Sequence, residues 1–478
     1  MITFKNHSLW TSDEIGQALG VPSKVSWSAT GVSIDTRTMQ PGDLFIAIVG
    51  PINDGHEFVI DAFKASASAA IVHKSVRCSE TPIIYVENTM NAMETLAHFS
   101  RVRSKAKIIG ITGSVGKTGI KEMLRLVLSE QALVAATEGN LNNHWGLPLS
   151  LMRMPKTTEI GIFEMGMSGP GEIQGLSNIA LPDISIITTI QNSHKEFFQS
   201  VHGIVNEKAK IASGMTDSGI VLINRDDLMY KHLKTALQNE GVDIIKTFGC
   251  HLDSDFRLLQ TKRLKCGQKV IAKVKNELVE FDLGLLGRHW AINSIAVLAA
   301  VDLVGGDVRR AAFKLRDMVG IKGRGDCKKV YVMGGEALLI DESYNASPAS
   351  MEAAINVLGE YIPKRGGRRI AVLGDMLELG EDSADFHEAL IKPLQLNNID
   401  LVFMTGVWMA VLWEILPKKN RGAWSESACK LSPIVSSSIR ADDVVMIKGS
   451  QGSKTGIIVS NLENQDGSKF KKLQEGHQ

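Results

Sequence analysis

Lys107-Ile108-Ile109-Gly110-Ile111-Thr112-Gly113-Ser114-Val115-Gly116-Lys117-Thr118 is a short apolar run that ends in a turn of small residues and a Gly-Lys-Thr. Ile120, Met123, Leu124, Val127 and Leu128 follow at i, i+3, i+4, i+7 and i+8, which predicts a helix with one apolar face. Strand, glycine turn and helix in that order are the context that gives a phosphate-loop motif its meaning. Gly113, Ser114, Val115 and Gly116 would turn backbone N–H groups inward and, with the helix N-terminus, cradle phosphate oxygens. Lys117 would reach the β- and γ-phosphates, and the Thr118 hydroxyl would ligate Mg²⁺. Five residues before Gly116 stands Ile111 rather than Gly, so the strict G-x-x-x-x-G-K-[ST] pattern is missed. The stretch predicts an ATP site.

Outward from it, 478 residues are too many for one core and predict about three domains of roughly 150 residues. We place them at 1–86, 87–320 and 321–478. Hydrophobic content of 44% with 22% charged residues is ordinary for a soluble globular chain. A net charge of +1 argues against general attraction to nucleic acid or acidic membrane. Five cysteines, Cys78, Cys250, Cys266, Cys327 and Cys429, are widely spaced with no C-x-x-C pair, and are expected as free thiols in a reducing compartment. The start Met1-Ile2-Thr3-Phe4-Lys5-Asn6-His7 lacks the apolar core of a signal peptide, and no apolar run approaches a membrane span. The expectation is a cytoplasmic monomer.

In the first segment, Leu44 to Ile48, Ala69 to Val72 and Pro82 to Val86 read as strands, and Asn53 to Phe58 opens a helix whose Phe58, Ala62 and Phe63 could face a core. Asp35 and Arg37 fit a salt-bridged loop. In the central segment, Gly139-Asn140-Leu141-Asn142-Asn143 offers amide donors suited to phosphate oxygens. The same composition fits a turn built on asparagine's tolerance of left-handed backbone. Strands then run into Glu164 and out to His194, so Thr118, Glu164 and His194 all fall at carboxyl ends of strands, where doubly wound sheets bind ligands. Carboxylate and hydroxyl suit Mg²⁺, and His is less usual for so hard an ion. Lys208 and Lys210 lie in an expected helix from Gly203 to Ser213, and at this spacing only one can face the site. Arg288 through Leu303 reads as a helix carrying His289 and Asn293 on one face. An Asn amide matches the N6/N7 edge of adenine, and an Asn buried for helix packing is the alternative.

In the last segment, Gly323-Arg324-Gly325 is followed by a strand leading into Asp341-Glu342-Ser343-Tyr344-Asn345-Ala346-Ser347-Pro348. Strands at Arg369 to Leu373, Leu401 to Met404 and Val444 to Ile447 follow, the last delivering Lys448-Gly449-Ser450. Alternating strands and helices imply a second parallel sheet. A nucleotide held between two α/β units is the simplest use of both.

Together these runs, with Asp35-Thr36-Arg37, Pro41-Gly42-Asp43-Leu44-Phe45 and Gly374-Asp375-Met376-Leu377-Glu378-Leu379-Gly380, resemble the ATP-dependent Mur ligases of peptidoglycan synthesis over nearly the whole chain. Gly-Asn-Leu-Asn-Asn and Ser-Tyr-Asn-Ala resemble the member that adds D-alanyl-D-alanine to UDP-N-acetylmuramoyl-tripeptide. The Asp-Asn-Pro-Arg motif of the sister that adds the third residue is missing. The resemblance implies an α/β fold of three domains: a small N-terminal α/β domain for the UDP-sugar, a central phosphate-loop domain with a mostly parallel sheet, and a C-terminal Rossmann-like domain for the amine substrate and part of ATP. It implies that Lys117, Lys208, His194 and Arg324 act in catalysis, and that Thr118, Glu164 and His194 hold Mg²⁺. It also implies that Asn293 meets adenine, Arg324 the γ-phosphate and Asp341 the ribose. Substrate contacts would come from Asp35, Thr36, Arg37, Asn142, Asn143, Tyr344, Asn345, Lys448 and Ser450. Lys208 matches the lysine that the family carries as a carbamate; a surface lysine pairing with Glu207 is the plain alternative. Gln191, Lys210 and Gly119 replace the family's usual glycine, acidic and hydroxyl residues. A folylpolyglutamate-type ligase, or a nucleotide-driven switch or assembly factor, also fits a phosphate loop.

Overall fold

The computed structural model describes residues 8–22, 25–77, 82–191, 198, 200–364 and 366–464. It divides into two compact units, one of residues 1–190, 202–257 and 295–311, the other of 191–201, 258–294 and 312–478.

The first unit contains two parallel sheets. The smaller orders its strands Gly31–Ser33, Asp43–Ile46, Ala69–Val72 and Ile83–Tyr85, with every pair parallel. Asp43–Ile46 and Ala69–Val72 are buried at every position, as strands covered on both faces require. Helix Val59–Lys64 packs Val59 and Ala62 onto Phe45, Ala70 and Val72. Phe58, expected to face this core, ends a 3₁₀ turn instead and is 37% exposed; Val59 takes the buried place.

In the larger sheet the strands run Ile244–Gly249, Ile220–Asn224, Ile184–Ile187, Lys107–Thr112, Ile160–Glu164 and Val134–Ala136, all parallel. Lys107–Thr112 comes first in the chain yet lies in the middle, with later strands on both sides. That makes its carboxyl end the switch point where such sheets bind ligands. Register places Ile111 beside Glu164 and Thr112 beside Ile187. Ile108, Ile109 and Ile111 are fully buried, so Ile111 stands where the strict motif has Gly because the strand is still running through the core.

In the second unit, Gln268–Val274 and Glu277–Leu283 form an antiparallel hairpin. A six-stranded sheet follows, ordered Asp326–Val332, Gly335–Glu342, Val444–Lys448, Arg369–Gly374, Leu401–Thr405 and Arg421–Ser425. It is parallel except at one edge, where Asp326–Val332 pairs antiparallel with Gly335–Glu342 through a turn at Gly334 and Gly335, both at positive φ. The sheet expected to be parallel is so except for this edge strand. Side chains alternate across it with period two. Ala371 and Leu373 face Met351 and Ile355 of helix Pro348–Glu360, while Ile370 and Val372 face Leu431, Val435 and Ile458 on the other side. Among the described residues no helix is long and apolar enough to cross a membrane. Among the described residues, Cys250, Cys266, Cys327 and Cys429 form no disulfide with one another.

Candidate active site

At the switch point the strand Lys107–Thr112 passes through Gly113, at φ +142°, into Gly116, at φ +96°, which caps helix Lys117–Leu128. Gly116 has no side chain to cap the first N–H groups of that helix, the arrangement in which a helix start receives an anion. The loop is latched to the neighbouring strand end. Ser114 N donates to Thr189 O at 2.8 Å, and Thr188 Oγ1 donates to Val115 O at 2.5 Å. Lys117 Nζ donates to Gly113 O at 2.7 Å, which holds the ammonium over the loop. Gly113 is needed twice over, for its φ and because a Cβ there would lie 1.9 Å from Thr188 Oγ1. Gly113→Ala is therefore expected to cost about 1–3 kcal/mol or more in stability and to weaken ATP binding. An unchanged thermal midpoint and ATP affinity would contradict this.

On the far side of the loop, Thr118 Oγ1 donates to Glu164 Oε2 at 3.0 Å, and Asn142 Nδ2 donates to Glu164 Oε1 at 2.8 Å. Glu164 is 2% exposed, and its own N–H donates to Thr137 Oγ1 at 3.1 Å. A hydroxyl and a buried carboxylate side by side are hard oxygen donors of the kind Mg²⁺ takes, so these residues fit that ion. His194, the third expected ligand, lies outside the described residues. Among the described residues no group of three or more His, Cys, Asp or Glu is placed to hold a metal ion by itself. Asn142 and Asn143 take different partners in the structure. Asn142 reaches Glu164, whereas Asn143 Oδ1 accepts from Gly146 N at 2.9 Å and opens helix Gly146–Met152.

Lys208 lies in the last turn of helix Val201–Ala209, which stops short of the expected Ser213 because Lys210–Ala212 tightens into a 3₁₀ turn. Lys208 is 2% exposed, not a surface lysine. Burial pushes its pKa well down; the charge of Lys117 adds to this and that of Glu207 opposes it. Glu207 is committed elsewhere, accepting from Gly171 N at 2.8 Å and Ile173 N at 2.9 Å at the start of helix Glu172–Ala180. Lys210 points off another face and pairs with Glu240 at 2.8 Å.

Elsewhere in the first unit, Arg37 forks onto Asp35, with Nη2 to Oδ2 at 2.6 Å and Nε to Oδ1 at 2.9 Å, beside the half-buried Thr36. The arginine side chain is 86% exposed.

The second unit gathers the other expected residues at the carboxyl end of its sheet. Asp341 accepts from Gly323 N at 2.9 Å and from Ser343 Oγ at 2.6 Å, tying the Gly323-Arg324-Gly325 turn to the strand end. The Arg324 guanidinium lies 4.2 Å from the centre of the Tyr344 ring. Lys448 Nζ donates to Asn345 O at 2.9 Å and lies 3.5 Å from Glu342. Burial lowers the Lys448 pKa and raises that of Glu342, and each charge partly offsets the other's shift. Ser450 Oγ accepts from Leu377 N at 3.0 Å, which draws in the Gly374-to-Gly380 loop. Asn293 is half-buried in helix Arg288–Leu303. A cavity of about 300 Å³ opens beside these loops, lined by Leu377, Glu426, Ser427, Cys429, Lys454 and others.

His289, on that same helix, is held neutral down to about 4, first by burial and then by the charge of Lys448. An unfolded histidine takes its proton near 6.5. Between about pH 6.5 and 4 the unfolded chain therefore binds more protons, and stability falls with falling pH. Buried His387, shifted down by desolvation, acts in the same sense. His289→Gln should flatten the acid side of a thermal-midpoint profile; an unchanged slope would contradict that assignment.

Sequence reasoning missed Thr137 and Lys121, both buried beneath the metal-side residues. The signal for Lys121 was present: it falls with Leu124 and Leu128 on the apolar stripe of the helix.

Comparison with known proteins finds matches along nearly the whole chain. The Mur ligase family catalytic domain matches residues 28–102, the Mur ligase middle domain 111–301, and the Mur ligase glutamate ligase domain 328–451. The chain is 33% identical to the UDP-N-acetylmuramoyl-tripeptide–D-alanyl-D-alanine ligase of Rickettsia prowazekii, over 94% of this chain and 99% of that protein. It is 34% identical to the Bacillus subtilis enzyme of the same name, over 90% and 93%. Among solved structures, MurF from Acinetobacter baumannii superposes with a TM-score of 0.83 at 25% identity, covering 95% and 99%. The MurF ligase of Thermotoga maritima in complex with ADP gives 0.76 at 27%, covering 91% and 97%.

Proposed function

The chain belongs to the Mur ligase family, and from that membership we propose that it joins UDP-N-acetylmuramoyl-tripeptide to D-alanyl-D-alanine at the expense of ATP, in peptidoglycan precursor synthesis. The observation that carries the ATP half is the open helix N-terminus at Gly116 with Thr118 bonded to buried Glu164. The substrate half rests on relatives above 30% identity along nearly the whole chain.

The tripeptide's terminal carboxylate is a poor electrophile at neutral pH. One of its oxygens attacks the γ-phosphorus of ATP, ADP leaves, and an acyl-phosphate results. The dipeptide amine then adds to the acyl carbon, and the tetrahedral intermediate expels inorganic phosphate to leave an amide. Catalysis of this kind is mainly positioning and charge neutralisation. Lys117 and the N–H groups of Gly113 to Thr118 hold the phosphates, and Arg324 faces the γ-phosphate. Asn293 meets adenine and Asp341 the ribose. Thr118 and Glu164, joined by His194, would hold Mg²⁺, which supplies charge neutralisation when bound. Residues 1–86 take the UDP-sugar through Asp35, Thr36 and Arg37. Residues 87–320 take ATP, with Asn142 and Asn143 toward the sugar-peptide. Residues 321–478 take the dipeptide through Tyr344, Asn345, Lys448 and Ser450. The enzyme works in the cytoplasm as a monomer.

The test is ADP release with each substrate withheld in turn. Release that needs both the UDP-tripeptide and D-alanyl-D-alanine is expected. Full-rate release with either one alone, or with folate and glutamate, would contradict the proposal.

A further inference from the structure

Lys121 is fully buried, at 0% exposure, in helix Lys117–Leu128, which follows the phosphate-loop turn. Its three ammonium donors are all placed: on Thr137 O at 2.8 Å, on Gly139 O at 3.2 Å, and toward Glu122 Oε1 at 3.1 Å. Removing an ammonium from water costs several kcal/mol even when it is paired, and an apolar side chain of similar size often serves packing as well or better. Packing alone therefore does not account for a lysine here; the segment it grips does.

Thr137 follows strand Val134–Ala136, and its Oγ1 accepts the N–H of Glu164 at 3.1 Å. Gly139 begins the turn that delivers Asn142, whose amide donates to Glu164 Oε1 at 2.8 Å and whose carbonyl accepts from Gly166 N at 2.7 Å. Glu164 is thus held from two sides, and both holds hang on the segment that Lys121 grips from below. Lys121 lies three residues after Thr118 and four after Lys117, on the same side of the helix. One helix therefore carries the phosphate lysine, the hydroxyl ligand and the anchor for the carboxylate.

We propose that Lys121 is a positioning residue for the magnesium side of the nucleotide site, fixing Glu164 and Asn142 through Thr137 and Gly139. The inference rests on the nucleotide-site assignment above. Groups behind a metal ligand typically change metal affinity about 10–100-fold when removed.

The experiment titrates Mn²⁺ into the full-length protein saturated with ADP, reading free Mn²⁺ by electron paramagnetic resonance, with ADP affinity measured separately without metal. Lys121→Met keeps the length and loses the donors. Thr137→Val removes the acceptor for Glu164 N, and Thr137→Ser keeps it. Both Lys121→Met and Thr137→Val should bind Mn²⁺ about 10–100-fold more weakly, with metal-free ADP affinity unchanged and Thr137→Ser close to the parent. Should Lys121→Met fail to fold, Lys121→Gln, shorter and uncharged, takes its place under the same expectation. Parental Mn²⁺ affinity in the folded variants overturns the positioning role. A parent protein that binds neither ADP nor Mn²⁺ overturns instead the site assignment beneath it.

Discussion

Lys117→Ala is expected to lower ligation about 10³-fold, the scale on which a preorganised group facing transition-state charge is worth most, while the protein stays folded. The lysine's hydrogen bond in the structure is to its own loop carbonyl, Gly113 O. That bond closes the loop on itself and does not reach the acyl-transfer substrates. The effect belongs to the phosphates, whose negative charge it meets only when ATP is bound. Single-turnover ADP formation, with circular dichroism as a fold control, measures both halves. A folded Lys117→Ala protein with parental turnover would remove the phosphate loop from the chemistry.

Lys208→Ala should be nearly as damaging, about 100-fold or more, for a different reason. Its amine is buried, and burial together with Lys117 favours the neutral form. A neutral amine attacks the carbon of CO₂, forming an N–C bond and releasing one proton, and so becomes a carbamate anion. Near Lys117 and a bound cation an anion is favoured where an ammonium would be repelled. Short carboxylic acids that fill the vacated space should then restore part of the activity. Lys210→Ala, which only frees Glu240 at a half-exposed position, should change turnover less than about twofold, as exposed pairs contribute little. Full activity of Lys208→Ala in CO₂-depleted buffer would exclude the carbamate.

The phosphate-loop strand and helix are legible in the sequence because two periods meet at one glycine turn, and the helix is set by residues three and four apart. The C-terminal strands were legible for a similar reason, as continuous apolar runs that stop at polar residues. The hairpin Gln268–Val274 with Glu277–Leu283 is faint because its outer face alternates with lysines and glutamates and carries little apolar signal. The antiparallel edge at Asp326–Val332 depends on a two-glycine turn and on pairing partners that no local pattern reveals. At the site, residue types announced Thr118 and Glu164, but not that they would touch. Asn143 as a helix opener and Asn142 as a partner of Glu164 have the same chemistry in sequence, and only the folded chain separates their directions. Lys121 was hidden by the habit of assigning lysines to solvent. Its place on an apolar stripe is the one local clue.

The most direct test of the central claim follows an oxygen atom. With the tripeptide carboxylate labelled with ¹⁸O, the acyl-phosphate route carries one carboxylate oxygen onto the phosphorus and leaves it there when the amine displaces phosphate. Mass spectrometry of the phosphate released during one turnover with ATP and D-alanyl-D-alanine should therefore show one ¹⁸O per phosphate and one retained in the new amide. Unlabelled phosphate, with both labelled oxygens still on the tripeptide, would mean that water takes the phosphoryl group, and the ligase account would be wrong.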